Sequence, residues 1–101
     1  LLRALSILAK RVEPNHPSIA TAEYDLANVA RDEGKYDEAE MRYRRAVAIR
    51  ETALGLGAPA VAEVLVDYAK LLRATRHGDE AVKLEARAHD IRAKANPTVP
   101  R

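Results

Sequence analysis

The sequence superimposes on itself at a shift of 42 residues, and this constrains the fold more than any other feature. Pro17 falls on Pro59, Asp25 on Asp67, Ala27 on Ala69 and Arg31 on Arg73. Asp37-Glu38-Ala39 falls on Asp79-Glu80-Ala81, Arg45-Ala46 on Arg87-Ala88, and Ile49-Arg50 on Ile91-Arg92. In the 37 pairs from 17/59 to 53/95 there are 13 identities, held in one register without a gap. The same shift maps Arg3-Ala4 onto Arg45-Ala46 and Ile7 onto Ile49. A period of this length marks a supersecondary unit that buries its apolar surface only by stacking on its neighbours.

Apolar spacing of three and four divides the chain into five helices. Residues 1–12 carry Leu1, Leu5, Leu8 and Val12, and Pro14 ends that pattern. Residues 17–33 carry a stripe of Ile19, Ala22, Leu26, Val29 and Ala30, with Ala20 and Ala27 beside it. Pro17 suits a first helical position, and Gly34 suits a left-handed cap. Residues 36–53 carry Tyr36, Ala39, Tyr43, Ala46, Val47 and Arg50. The one charged member, Arg50, is expected to cover apolar surface with its stem while its head stays in water. Residues 59–75 carry Val61, Leu65, Tyr68, Ala69 and Leu72, and residues 79–95 carry Ala81, Leu84, Ala88, Ile91 and Ala95. The expected fold is all-α: antiparallel helix hairpins stacked in a right-handed superhelix over residues 1–96, with a tail at 97–101. Residues 17–54 form one full unit and 59–95 a second. Residues 1–12 are the second helix of an earlier, truncated unit. The chain opens without methionine inside a helical pattern, as a piece of something longer does.

These features resemble the tetratricopeptide repeat family. The residues that carry the likeness are Leu26-Ala27, Gly34-Lys35-Tyr36, Ala39, Tyr43 and Ala46. The long period, the His16-Pro17 start and the run from Tyr43 to Arg50 resemble the long-helix variant found in kinesin light chains. The second unit departs from the pattern. Arg76 stands where the family has Gly, Gly78 matches Tyr36, Glu85 matches Tyr43, and Tyr68 matches Leu26. A carboxylate at a packing position predicts local exposure there.

Composition excludes much chemistry. Without cysteine there is no disulfide, thiolate nucleophile or Cys-ligated zinc. No two histidines have the i,i+4 spacing of a helical metal site, and Glu85 with His89 reads as a solvated pair. Gly55-Leu56-Gly57 lacks the Lys-Ser or Lys-Thr of a phosphate loop. Ser6 and Ser18 have no inferable triad. No catalytic residue, metal or cofactor is expected. The longest wholly apolar run is Ala46-Val47-Ala48-Ile49, too short to insert in a membrane. The net charge is +2, and Arg42, Arg44 and Arg45 lie within one or two turns of Glu38, Glu40 and Glu51. That pattern reads as a salt-bridged outer face, so a nucleic-acid partner is not expected. A cytoplasmic location is.

The resemblance implies a binding role for the concave face lined by the first helix of every unit. The matching positions are Thr21, Tyr24, Asn28, Arg31 and Asp32, then Glu63, Val66, Lys70, Arg73 and Ala74. Asn28 stands where peptide-binding relatives place an Asn that holds a peptide backbone. Tyr24 stands where a carboxylate clamp has Lys, which argues against a chaperone C-terminal carboxylate as ligand. The implied function is a protein- or peptide-binding scaffold, with an accessory regulatory or substrate-positioning domain of a larger protein as the alternative. Arg31, Lys70 and Arg73 bias the partner toward acidity. Apolar ends around Leu1, Leu5 and Leu8, and around Leu84 and Ile91, are expected to make homotypic end-to-end contacts.

Overall fold

The computed structural model describes residues 16–95, which form four helices. They are α1 (Pro17–Asp32), α2 (Tyr36–Leu54), α3 (Pro59–Ala74) and α4 (Gly78–Ala95). The expectations for the helix at 1–12 and for the tail lie outside the described residues. α1 packs along α2 and α3 along α4 as two antiparallel hairpins, and α2 lies against α3 to stack one hairpin on the other. α1 touches α3 only lightly, so the two first helices line one face of the stack.

Helix ends follow local chemistry. Pro17 and Pro59 each occupy the first turn of a helix, where a missing N–H leaves nothing unsatisfied. His16 caps α1 by accepting the Ser18 N–H at its Nδ1, 3.1 Å away. Asp37 and Glu38 in α2, and Asp79 and Glu80 in α4, place carboxylates at the positive end of the helix dipole. The two tight turns are built alike. Lys35 N–H reaches Ala30 O at 2.8 Å, and His77 N–H reaches Leu72 O at 2.7 Å. Each closure needs a left-handed residue before it, Gly34 at φ 81° and Arg76 at φ 63°.

Small residues let the helices approach. Ala27, Ala39 and Ala46 in the first hairpin are fully enclosed, and so are their counterparts Ala69, Ala81 and Ala88 in the second. Two apolar clusters result. One joins Ala27, Ala30, Ala39, Tyr43 and Ala46 to Val64, Tyr68 and Leu71 across the α2–α3 boundary. The other gathers Val61, Leu65, Ala88 and Ile91 within the second hairpin. Tyr43 is 0% exposed. Its ring stacks on Tyr68 with centroids 5.7 Å apart and tilts against Tyr24 at 6.4 Å.

Four expectations are corrected. On α1 the enclosed face is Ala20, Glu23, Ala27 and Ala30. Leu26 and Val29 are 47% and 51% exposed, and Ala22 is exposed as well. The close α1–α2 approach selects alanines, and the larger residues point elsewhere. On α2, Arg50 is only 6% exposed, head included, because its guanidinium is covered by α1 and α3 and met there by three oxygens. Tyr36 is largely exposed. On α4, Ile91 is buried and Leu84 half-buried against α3, so neither offers an apolar end.

Two stability changes follow. Tyr43→Ala removes an enclosed aromatic and is expected to cost about 3–5 kcal/mol, read as a lower urea midpoint. Arg76→Gly relieves a left-handed backbone in an exposed residue and is expected to stabilise by about 0.5–1 kcal/mol. A melt of Arg76→Gly at or below the parent's would show that the turn carries no such strain.

Candidate functional site

The face shared by α1 and α3 is organised by two charged residues, Asp67 and Arg50. Asp67 projects from the middle of α3 toward α1. Its Oδ2 accepts the Tyr24 hydroxyl proton. Its Oδ1 lies 3.6 Å from the Arg31 guanidinium and 3.4 Å from the Lys70 ammonium. Arg31 also reaches the Asp67 carbonyl oxygen at 3.5 Å and pairs with Asp32 at 3.6 Å. One carboxylate therefore ties the two first helices together.

Arg50 enters from α2 beneath the same face. Nη1 donates to Ala60 O at 2.7 Å and to Glu63 Oε1 at 2.8 Å, and Nη2 donates to Thr21 Oγ1 at 3.3 Å. Its guanidinium carbon sits 5.3 Å from the Tyr24 ring centroid, within cation–π range. A buried arginine is costly unless its donors are met, and here a carbonyl, a carboxylate and a hydroxyl meet them. Among the described residues no buried side-chain nitrogen or oxygen lacks a partner.

The expected groove residues thus divide. Tyr24, Arg31 and Lys70 converge on Asp67, while Thr21 and Glu63 converge on Arg50. Asn28 faces inward from the others, its Oδ1 accepting the Tyr43 hydroxyl. Val66 is half-buried against the second cluster. Arg73 is turned to α4, where it forms a two-pronged pair with Glu85 at 2.5 and 3.0 Å. Glu85 is far more exposed than its counterpart Tyr43, and the Arg73 guanidinium holds its carboxyl below the usual range. Asp67 and Arg50 were not on the sequence-derived list of groove residues. Both carried a signal: each is an identity between the repeats, and Arg50 interrupts an apolar stripe.

The arginines of α2 are salt-bridged as expected, and one of their partners, Glu23 of α1, is buried. Arg42 pairs with Glu38 and Glu23, Arg44 with Glu40, and Arg45 with Glu23. Among the described residues no group of three or more metal-ligating side chains occurs, and no helix is long and apolar enough to cross a membrane.

Three tyrosines at this junction resist ionisation. Burial pushes Tyr43 up to about 12, despite the opposing influence of Arg31. Burial and the Asp67 carboxylate raise Tyr24 well above an ordinary phenol, and burial raises Tyr68. In an unfolded chain these phenols ionise near about pH 10. Their contribution to stability is complete below that pH and is lost as the pH rises toward the folded values. In a base titration, helical ellipticity should fall above about pH 10, and the phenolate absorbance of these tyrosines should rise in the same transition. Phenolate formation complete before any loss of helix would contradict the burial.

The sequence model of the tetratricopeptide repeat matches residues 1–52 and, in a second register, residues 18–94. No curated protein matches the chain. The two matches overlap, and together they cover both hairpins of the stack, with their first helices on a common face. The chain belongs to the tetratricopeptide repeat family.

Proposed function

We propose that the α1/α3 face binds an extended or helical protein segment, as a recognition scaffold without chemistry of its own. The single observation that carries this reading is the locked floor of that face. Tyr24, Arg31 and Lys70 gather on Asp67, and Thr21 and Glu63 gather on Arg50. A surface whose side chains are already fixed loses little entropy on binding. Of these groups the Lys70 ammonium, with 63% of its side chain exposed, and the Glu63 carboxylate, with 54%, are open to a partner. Val66 gives a small apolar patch between them.

The charge balance narrows the partner. Arg31, Lys70 and Arg73 all pair with carboxylates of the chain itself, and Lys70 has the most exposed side chain of the three, so it is the cation most open to an acidic group. The reading is an acidic segment with one carboxylate over Lys70. Helices α2 and α4, of 19 and 18 residues, support assignment to the long-helix variant found in kinesin light chains.

Asn28→Ala is a poor probe, since it also strips the acceptor from buried Tyr43. Lys70→Glu changes a mostly exposed side chain, and its one cost within the fold is the 3.4 Å pair with Asp67. With a panel of acidic, neutral and basic unstructured peptides, fluorescence anisotropy should favour the acidic members. Lys70→Glu should weaken them about tenfold, about 1.4 kcal/mol, with only a small fall in melting temperature, since an exposed ion pair contributes little. Equal binding across the panel, or indifference to Lys70→Glu, would overturn the assignment.

A further inference from the structure

The loop between α2 and α3 leaves its largest side chain in water. Leu56 is 69% exposed, more than any other large apolar residue described, and Leu54 at the end of α2 is 49% exposed. The loop is nevertheless held in place. Arg87 of α4 donates to the Leu56 carbonyl at 3.3 Å and pairs with Glu51 in the last turn of α2. Leu56 therefore stands at a fixed place on the rim of a cleft of about 340 Å³. Gly57 and Ile91 line the cleft with it, and Arg87, Asp90 and Lys94 bring charge to its edge. Position 57 leaves the space unfilled, since a Cβ there would meet nothing within 4 Å. Arg87 is neutralised by Glu51, whereas among the described residues Asp90 and Lys94 pair with no charge of the chain. The repeat does not dictate these two. Their counterparts in the first unit are Ala48 and Thr52, while Arg87 and Ile91 are matched by Arg45 and Ile49.

The patch thus holds a protruding leucine, a hollow beside it, one open cation and one open anion. Such a patch is neutral as a whole, so it does not select a strongly charged partner. It is complementary to itself under a two-fold rotation. We propose that this cleft is a contact between two copies of the chain. Leu56 of one copy enters the cleft of the other, over Gly57 and Ile91, and Lys94 faces the partner's Asp90. Two-fold symmetry makes each contact twice. The pairing differs from the end-to-end contact expected from sequence, because it is centred on the α2–α3 loop. No residue of α1 or α3 lines the cleft. The α1/α3 face stays open in both copies, and the inference does not depend on the function proposed for that face. With so few residues on each side, the interface is smaller than that of a stable complex and the dimer is weak.

Sedimentation velocity on the full chain, at concentrations up to about 1 mM, should show a monomer–dimer equilibrium that stops at two copies. Leu56→Asp should abolish it with the helical spectrum unchanged. Gly57→Leu puts a side chain into the cleft at a position outside the left-handed region, and should weaken dimerisation about tenfold. The charges give the sharper test. Asp90→Lys sets cation against cation across the interface, and Lys94→Asp sets anion against anion. Each variant alone should be monomeric, and an equimolar mixture of the two should pair, because opposite charges then meet at both contacts. A parent chain that stays monomeric throughout the range would overturn the proposal. So would assemblies larger than a dimer, or a Leu56→Asp variant that dimerises like the parent. Single charge variants that dimerise like the parent, or that fail to pair when mixed, would overturn it too. Lys94 lies in the last turn of α4. If Lys94→Asp loses helix, the parent and Leu56→Asp measurements decide.

Discussion

The Tyr43 ring is the point at which the two hairpins become one structure. It projects from α2, tilts against Tyr24 of α1 and stacks on Tyr68 of α3, so three helices share one aromatic contact. Its hydroxyl does not waste that burial, since Asn28 accepts it. An aromatic pair contributes about 0.5–1.5 kcal/mol beyond the area it buries, and here two pairs share one ring. The alanines around it matter for the same reason. Ala27, Ala39 and Ala46 leave room for a large ring between closely approaching helices, and any larger residue there would force the ring out.

The second hairpin is built on a different principle because it has no such ring. Glu85 occupies the position of Tyr43 and turns to Arg73 at the surface. An exposed ion pair of this kind contributes little to stability. The second hairpin relies instead on branched aliphatic residues, Val61 and Leu65 against Ile91, filling what an aromatic fills in the first. α3 is also the more enclosed helix, with eight residues buried against four in α1, because α2 covers one of its sides and α4 another. Tyr68 belongs to both arrangements. Its ring serves the first hairpin, and its hydroxyl is exchanged with Arg44 and Glu40 on the α2 surface.

How much of this was legible in the sequence depends on what each residue competes with. The 42-residue period, the prolines opening α1 and α3 and the small-residue sites were all readable, because each has one physical use. Tyr43 was readable for the same reason. The buried side of α1 was not. Periodicity weights a stripe by the size of its apolar residues, and that weighting favoured Leu26 and Val29 over Ala20 and Ala30. A helix in a stack has two apolar sides with different demands, and the tighter of them takes alanine. Arg50 was misplaced by a related habit, since a lone charge is assigned to solvent unless its partners are known, and the role of Asp67 was hidden for the same reason. Those partners lie far along the chain, Thr21 and Glu63 for Arg50, Tyr24 and Arg31 for Asp67. Only the folded register brings them together.

The same buried charges settle what kind of recognition this face can perform. Removing ions from water costs several kcal/mol each, so Arg50 and Asp67 are weak sources of net stability even when fully paired. What they supply is direction. The Arg50 fork fixes Glu63 and Thr21 at set positions, and Asp67 fixes the Tyr24 hydroxyl and draws Arg31 inward. A partner therefore meets groups whose geometry is settled before it arrives. Because most cations of the face are neutralised from within, a purely electrostatic attraction across it is modest. Discrimination must come from how well a partner fits the few groups left open, with Lys70 setting the sign of the charge it prefers and Val66 the apolar contact beside it.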